Sequence, residues 1–498
     1  MIRTLLVGLL LAAVGFAAGR HMERDAGAAV VVMPRAAASA VAGSVATVSK
    51  PIRSVAGPAG PHVVTVEEGD SIQAAVGAAQ PGTTIRIMPG TYRESVYIDK
   101  DNIRLVGVIE AGKRPVLDGG GTLNDAILYS GNNVVVENLE LRAYKGNGIM
   151  GQAGNNFEIR NNVVVGTGVY GIFPQLGQNG IVEYNVISGI ADAAIYVGMS
   201  DNIHVAHNEV FDSVAGIEIE NSRHAIVENN YVHDNAGGLL AFITPGLPIK
   251  TTVDVVFRHN FVLRNNHVNF AAPGSTVAGI PSGTGILVMA ADDVVIEGNI
   301  ISDNKTIGVL IVDHAHAANI TADPESDPNS DRVVILDNVM LHNGYDTIPE
   351  VKALLLSELK GGDVDIARVG PSPGSCIRER ERYVAAGVGD FAECGFSDTA
   401  ERVTYLLPPV PPRTIELAER GKVAYLGVCS GCHIYNGRLI GPPVQAIQAL
   451  YFDDPQGLAD YIAKPVRKRP DFPEMPPQDY LDPQTRFEVA KYMLALTR

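Results

Sequence analysis

The sequence predicts a mainly-β fold, a parallel β-helix solenoid, followed by a small all-α domain. Three observations predict it. Asparagine recurs at a near-constant interval, since Asn138, Asn162, Asn185, Asn208 and Asn230 lie 24, 23, 23 and 22 residues apart. A second marker keeps step: Gly148-Ile149, Gly171-Ile172, Ala194-Ile195, Gly216-Ile217 and Gly238-Leu239 recur every 22 or 23 residues. Close to the C-terminus, Cys429-Ser430-Gly431-Cys432-His433 stands between helix-like stretches.

The repeat carries the first element. Each Gly-Ile marker opens a short run, and Gly216-Ile217-Glu218-Ile219-Glu220 alternates as a strand does. Short strands, tight turns and a period near 23 give three strands per coil. Asn260, Asn299 and Asn338, with Gly285-Ile286 and Gly308-Val309, continue the series at longer intervals. The Asn column should stack inside as a ladder, each amide satisfying turn backbone groups.

The remaining segments follow in order. Met1-Ile2-Arg3 and the apolar run Thr4–Ala18 read as a secretory signal over 1–19, or as an uncleaved anchor. Residues 20–61, rich in Ala, Val, Gly, Ser and Pro, read as a flexible linker. The solenoid is placed at 62–345, opening with a short amphipathic helix at Ser71–Val76. Residues 346–411 form a connector. In an exported chain, the 18-residue spacing of Cys376 and Cys394 reads as one disulfide. Leu407-Pro408-Pro409-Val410-Pro411-Pro412 is a stiff spacer before a domain at 412–498.

Cys-x-x-Cys-His is the signature of covalent haem c attachment, with a zinc knuckle or a dithiol pair as the other readings. Its surroundings resemble a class I cytochrome c. A helix over Ile415–Val428 leads into the motif, Gly441-Pro442-Pro443 follows, prolines flank Met475, and a closing helix spans about 483–496. The resemblance implies one haem c, held by Cys429 and Cys432. It makes His433 the proximal ligand, oriented by the Pro442 carbonyl, and Met475 the distal one. A haem c points to export to the periplasm.

The repeat resembles the right-handed β-helix superfamily of carbohydrate-binding and sugar-hydrolysing domains. That superfamily includes pectate lyases, alginate epimerases and the copper-maturation protein of nitrous-oxide reductase. The resemblance specifies fold more than chemistry.

Three coils are lengthened, at Thr244–Thr252, Asn266–Thr284 and Asp313–Asp331, and all border the Gly-Ile strand stack. The outward residues of that stack are largely apolar: Met150, Phe173, Tyr196, Leu240, Leu287 and Leu310. Such a face needs a cover, which could be the haem domain, the long loops or another protein. Glu218 and Glu220 are its paired carboxylates, candidates for proton transfer or Ca²⁺. Asp313-His314-Ala315-His316 could ligate copper or zinc, or serve as acid and base. The acidic stretch Asp323–Asp331 could hold Ca²⁺. A formal net charge of −16 argues against nucleic acid and against easy binding of polyuronate or an anionic membrane surface.

Two functions are thus expected. The chain is an exported electron-transferring c-type cytochrome whose solenoid binds a redox partner or an oxidised substrate. Alternatively, the solenoid is a polysaccharide lyase or epimerase carrying a cytochrome module, with Glu218, Glu220, Asp313 and His314 moving protons.

Overall fold

The computed structural model describes residues 62–498, apart from 321–322, 396, 403–416, 431, 438–440, 471, 473–474, 476 and 498. The expected leader, the linker and the proline spacer lie outside the described residues.

The described chain winds into a parallel β-helix of three sheets. Sheet 1 runs from Val63–Val66 to Cys376–Ile377, sheet 2 from Thr91–Tyr92 to Val339–Leu341, and sheet 3 from Val96–Ile98 to Ala385–Ala386. Every strand pair in them is parallel, and register is kept from coil to coil: Ile149, Ile172, Ile195, Ile217, Leu239, Ile286 and Val309 stand opposite one another through sheet 3. All seven are fully buried in one continuous core. A one-residue slip would turn this column outward, so burial fixes the register.

The N-terminal end is closed by the helix Ile72–Ala78. Ser71 caps it, and the Glu94 carboxylate accepts the N–H groups of Ile72 and Gln73 at 2.7 and 3.0 Å. Ile72 and Val76 then seal the core end.

The ladder forms from Asn162 onward. Asn162, Asn185, Asn208, Asn230, Asn260, Asn299 and Asn338 each lie within 1% of full burial. From Asn162 to Asn299 each amide nitrogen donates to the next amide oxygen at about 3.0 Å, and each receiving oxygen also accepts the N–H of the Asn before it. Asn138 is the exception. It takes the turn position before the ladder, with φ 64°, and shares that left-handed geometry with Asn161, Tyr184, His207 and Asn229. Leu139 occupies the ladder site, which explains the interval of 24 rather than 23. A second ladder, Ser213, Asn235, Asn265, Asn304 and Asn343, lines the sheet 2 to sheet 3 turn.

The sheets run past residue 345. Ile366–Val369 and Ala385–Ala386 extend sheet 3, and Cys376–Ile377 extends sheet 1. Cys376 and Cys394 are disulfide-bonded there, and Cys394 lies over Ile226, Val256, Val295 and Leu336. Opening this 18-residue link is expected to lower stability by about 3 kcal/mol. Urea unfolding of the double Cys→Ser variant checks the figure.

Helices follow at Leu417–Ala424, Val444–Leu450, Pro455–Ala463 and Pro483–Ala495, with a wider turn over Tyr425–Cys429. They have their own core, built from Ala424, Tyr425, Val444, Leu458, Val489 and Met493 among others. Among the described residues, no helix is long and apolar enough to cross a membrane.

Candidate functional site

The outward face of sheet 3 is not open to a partner. Met150, Phe173, Tyr196, Leu240, Leu287 and Leu310 form a buried cluster of their own. Its cover is supplied by this chain. Val277 and Ile280 come from one long loop, Ile320 from another, Val351 and Leu355 from the helix Pro349–Ser357, and Val428 and Tyr480 from the C-terminal part. The expectation of a docking surface for a second protein is corrected accordingly: an apolar stripe is costly in water, and the chain folds over it.

Glu218 and Glu220 are buried with it, at 1% and 6% exposure. Burial pushes the Glu218 carboxyl well up, and Asp192 and Glu220 push it further. Burial likewise raises Asp192 and Glu220, although hydroxyls of Thr244 and Tyr196 oppose the shift at Glu220. Asp313 and His314 lie three strands away along sheet 3, about 14 Å at the usual strand spacing. The structure therefore does not bring Glu218, Glu220, Asp313 and His314 into one proton-transfer site.

Asp313 and His314 hold loops instead. Asp313 Oδ1 accepts from the His316 backbone N–H at 3.0 Å and pairs with the His316 ring at 2.6 Å. His314 Nε2 donates to the Ile243 carbonyl at 2.9 Å. Burial lowers the His314 pKa. In the acidic stretch, Asp323 is engaged by Lys250 at 2.8 Å and by the Gly246 N–H at 2.9 Å, which ties two long loops together. Lys250 leads in holding Asp323 down at about 2.

An open groove lies elsewhere, at the turn between sheets 2 and 3. It measures about 390 Å³ and is lined by Asp212, Asp234, Arg264, Asn266 and His267. Asp212, Asp234 and Arg264 occupy equivalent turn positions in successive coils, with φ 51°, 55° and 50°. Adjacent coils are spaced by one strand separation, about 4.8 Å. That stacking aligns their side chains along the solenoid. Arg264 donates to Asp234 at 3.2 Å, and His233 Nδ1 bonds the same carboxylate oxygen at 2.7 Å. Burial works against the Asp234 charge, but the bonds from His233 and Arg264 win and hold its pKa low. A bond with the Tyr231 hydroxyl is the leading cause that raises Arg264. Tyr231 stacks on His233 at 3.9 Å, and Phe211 stacks on the same ring at 5.2 Å. Phe261 meets Tyr231 edge-on and is 48% exposed, so an aromatic strip borders the groove.

His267 is exposed, and its Nδ1 lies 2.8 Å from the Val268 carbonyl. A carbonyl only accepts, so Nδ1 carries the proton. Nε2 then presents a lone pair. Sequence reading marked the lengthened coil at Asn266–Thr284 but singled out none of the groove's side chains. They belong to turns rather than to strands, and only the stacking of coils brings Asp212, Asp234 and Arg264 together.

In the C-terminal part, His433 Nδ1 lies 2.8 Å from the Pro442 carbonyl. That bond fixes the tautomer and leaves Nε2 as the coordinating atom. Cys429 and Cys432 are both unbridged thiols, and burial raises them to about 12 and 11. Met475 is half-buried and packs against the cluster that contains Cys429. The donor set and the oriented imidazole fit a haem c.

The comparisons bear on the solenoid. A family model described as "Right handed beta helix region" matches residues 121–246. Among solved structures, the chain is similar to an alginate lyase from Paenibacillus sp. str. FPU-7, at 15% identity and TM-score 0.44, covering 58% of this chain and 99% of that one. It is also similar to the A-module of the Azotobacter vinelandii mannuronan C-5 epimerase AlgE4, at 16% identity and TM-score 0.34, covering 57% and 86%. A third is a DFA-IIIase mutant from Arthrobacter chlorophenolicus A6, at 13% identity and TM-score 0.40, covering 63% and 92%. No curated protein matches. The fold is a right-handed parallel β-helix, and nothing about this chain's chemistry is taken from these likenesses.

The expected description of the chain as a metal-binding cytochrome is corrected. The family match covers residues 121–246, within the solenoid, and does not identify the helical part as a cytochrome c. Among the described residues, no group of three or more His, Cys, Asp or Glu side chains could hold a metal ion. Asp313 is taken up by His316, His314 by the Ile243 carbonyl and Asp323 by Lys250 and the Gly246 N–H, while Glu218 and Glu220 are buried on sheet 3, which is the physical reason these candidates do not converge.

Proposed function

We propose that the solenoid is a carbohydrate-active enzyme of the lyase or epimerase type, working in the groove at Arg264 and His267. The carrying observation is the Nε2 lone pair of His267 beside a forked guanidinium, in a groove bordered by aromatic rings. Proton abstraction next to a carboxylate needs those two parts: a base, and a cation that neutralises the acid group as negative charge moves onto it. His267 Nε2 takes the C5 proton of a uronate residue whose carboxylate is held by Arg264. In elimination, the C4–O bond then breaks, a C4–C5 double bond forms, and the leaving oxygen takes a proton from solvent. In epimerisation, a proton from solvent is delivered to C5 on the opposite face, and His267 releases the one it took to solvent. Sugar rings stack on Tyr231 and Phe261. Arg264 answers the objection from overall charge locally, since the groove needs one cation at one carboxylate.

Incubation of the whole protein with alginate and with pectate in D₂O tests this. Unsaturated ends or deuterium at C5 are expected, and His267→Ala should lower the rate about 10²- to 10⁴-fold. Arg264→Gln should cost a comparable factor. Turnover that survives His267→Ala would remove the base assignment.

The Cys429-x-x-Cys432-His433 motif supports a separate proposal for the C-terminal part alone. Cys429 and Cys432 would hold one haem c through thioethers, with His433 and Met475 on the iron. Bound there, a haem would supply one-electron chemistry. The His433–Pro442 bond supports this, because it fixes the imidazole before any ligand arrives. Mass spectrometry of a tryptic peptide spanning 429–433, from protein made in a cell with the haem-attachment machinery, tests it. A peptide without added haem mass would end the proposal. Export, implied by the leader and by the Cys376–Cys394 bond, is part of the same reading.

A further inference from the structure

The covered face of sheet 3 carries polar groups that the solenoid itself does not satisfy. Gln175 stands opposite Gln152 of the preceding coil, and both are fully buried. Glu218 stands opposite Tyr196. Both polar atoms of each glutamine amide, one Glu218 oxygen and one Asp192 oxygen have no hydrogen-bond partner. Buried amides and carboxyls are nearly always paired, so this cluster calls for a ligand with polar atoms of its own.

Its place in the fold names that ligand. The strand Ile149–Gln152 lies beside the turn Tyr425–Cys429, and Val428 and Tyr480 pack on the sheet 3 cluster. Burial pushes the Tyr170 hydroxyl well up, and Asp192, Glu220, Glu218 and the Cys432 thiol add to it, which sets all of them in one neighbourhood. A Cβ at Gly246, just past the strand Gly237–Phe242, would lie 3.3 Å from Ile434, the residue after His433. The residues that would carry a haem thus stand against this face.

The chemistry of the face agrees. A haem is a flat apolar macrocycle with two carboxylates on one edge, so a wall for it joins apolar surface to hydrogen-bond donors. Tyr170 and Tyr196 stack at 4.5 Å, and Phe173 leans on them at 4.7 and 4.5 Å. A side chain at Gly198 would strike the Tyr196 ring at 2.5 Å, so the missing Cβ lets that ring lie across the face. Each glutamine amide brings two donors. Burial leads in holding Asp192 and Glu218 toward their neutral forms, in which a carboxyl donates an O–H.

We propose that the covered face of sheet 3 is the second wall of the haem c site: Tyr170, Phe173 and Tyr196 present an aromatic surface to the macrocycle, and Gln152, Gln175, Asp192 and Glu218 offer donors to its propionates. This rests on the haem c reading of the C-terminal part and extends it, because the solenoid then completes a site that the helices alone leave open on one side.

The test uses the whole protein, made with ¹³C-methyl methionine in a cell with the haem-attachment machinery. Low-spin ferric haem holds an unpaired electron and displaces the resonances of methyl groups near it. The Met150 methyl, on the covered face, should shift between the ferrous and ferric states, and Met340, on sheet 2, should not. Met150→Leu assigns the resonance. Gln175→Leu should move the ferric–ferrous balance about ten-fold toward ferric, a fall of about 59 mV for one electron, because propionate charge that loses a donor favours the more positive iron. Should that variant fail to take up haem, the Met150 shift in the parent protein decides alone. Haem mass on the 429–433 peptide with an unmoved Met150, or with an unchanged balance in the loaded variant, would overturn this proposal and leave the haem reading standing. A peptide without haem mass would end both.

Discussion

Replacing Asn208 by leucine is expected to lower the unfolding free energy by about 4 kcal/mol, enough to remove much of a typical domain's stability. Asn208 Oδ1 accepts two bonds from Asn185, at 3.0 Å each, and its Nδ2 donates to Val182, Ala206 and Asn230. Leucine has nearly the same volume but no polar atom. The Asn185 backbone N–H would then be buried without an acceptor, at a cost of about 1–3 kcal/mol, and the Asn185 amide and the Val182 carbonyl would add to it. The chain itself shows where leucine is tolerated. Leu139 fills this site at the ladder's start, fully buried. Its neighbour one coil earlier is Pro115, which has no N–H to satisfy. Urea unfolding followed by far-ultraviolet circular dichroism measures the loss. A midpoint equal to that of the parent protein would show that the ladder is dispensable.

The same ladder shows what a sequence discloses. Asparagines at intervals of 22 and 23, and Gly-Ile pairs in step with them, follow from one physical demand: each coil must repeat the last to keep its inner column buried. That made the solenoid and its inward residues legible. Asn138 misled because a turn residue with φ 64° and a ladder residue share one residue type and adjacent positions. The second ladder begins with Ser213, and a hydroxyl standing for an amide hid it. The outward column was read correctly as apolar, yet what covers it is a matter of long-range packing. Tyr480 lies hundreds of residues from Tyr97, and only the folded chain sets both against that cluster. The groove was least legible. Asp212, Asp234 and Arg264 look like ordinary turn residues until the coil repeat stacks them.

Replacing Arg258 by methionine is expected to cost about 3–5 kcal/mol and to free the segment before the proline spacer. Arg258 is buried on the outer face of sheet 1, and its side chain ties three parts of the chain together. Nε donates to Glu228 at 2.6 Å, Nη1 to the Thr399 carbonyl, and Nη2 to the Arg402 carbonyl at 2.8 Å. Thr399 is held from the next coil too, because its N–H donates to Glu297 at 3.0 Å. Methionine keeps the bulk but leaves the Glu228 charge without this partner and the two carbonyls without donors.

Glu228 makes the effect pH-dependent. Burial opposes its charge, yet the bonds from His204 and Arg258 outweigh burial and lower its pKa from 4.5 to about 2. A carboxyl held lower in the folded state than in the unfolded one stabilises the fold above the unfolded pKa, here 4.5. That contribution, on the order of 3 kcal/mol, is lost as pH falls from there through about 2. The parent protein should therefore lose stability across that window, and Arg258→Met should lose it at a higher pH and by a smaller amount. Unfolding midpoints measured in urea at neutral pH and at about pH 3 give both differences. Limited proteolysis gives the structural one, as new cleavage at residues 398–402 in the variant. A variant with the parent's acid profile and no new cleavage would show that Arg258 neither sets the Glu228 charge nor holds Thr399 and Arg402 against sheet 1.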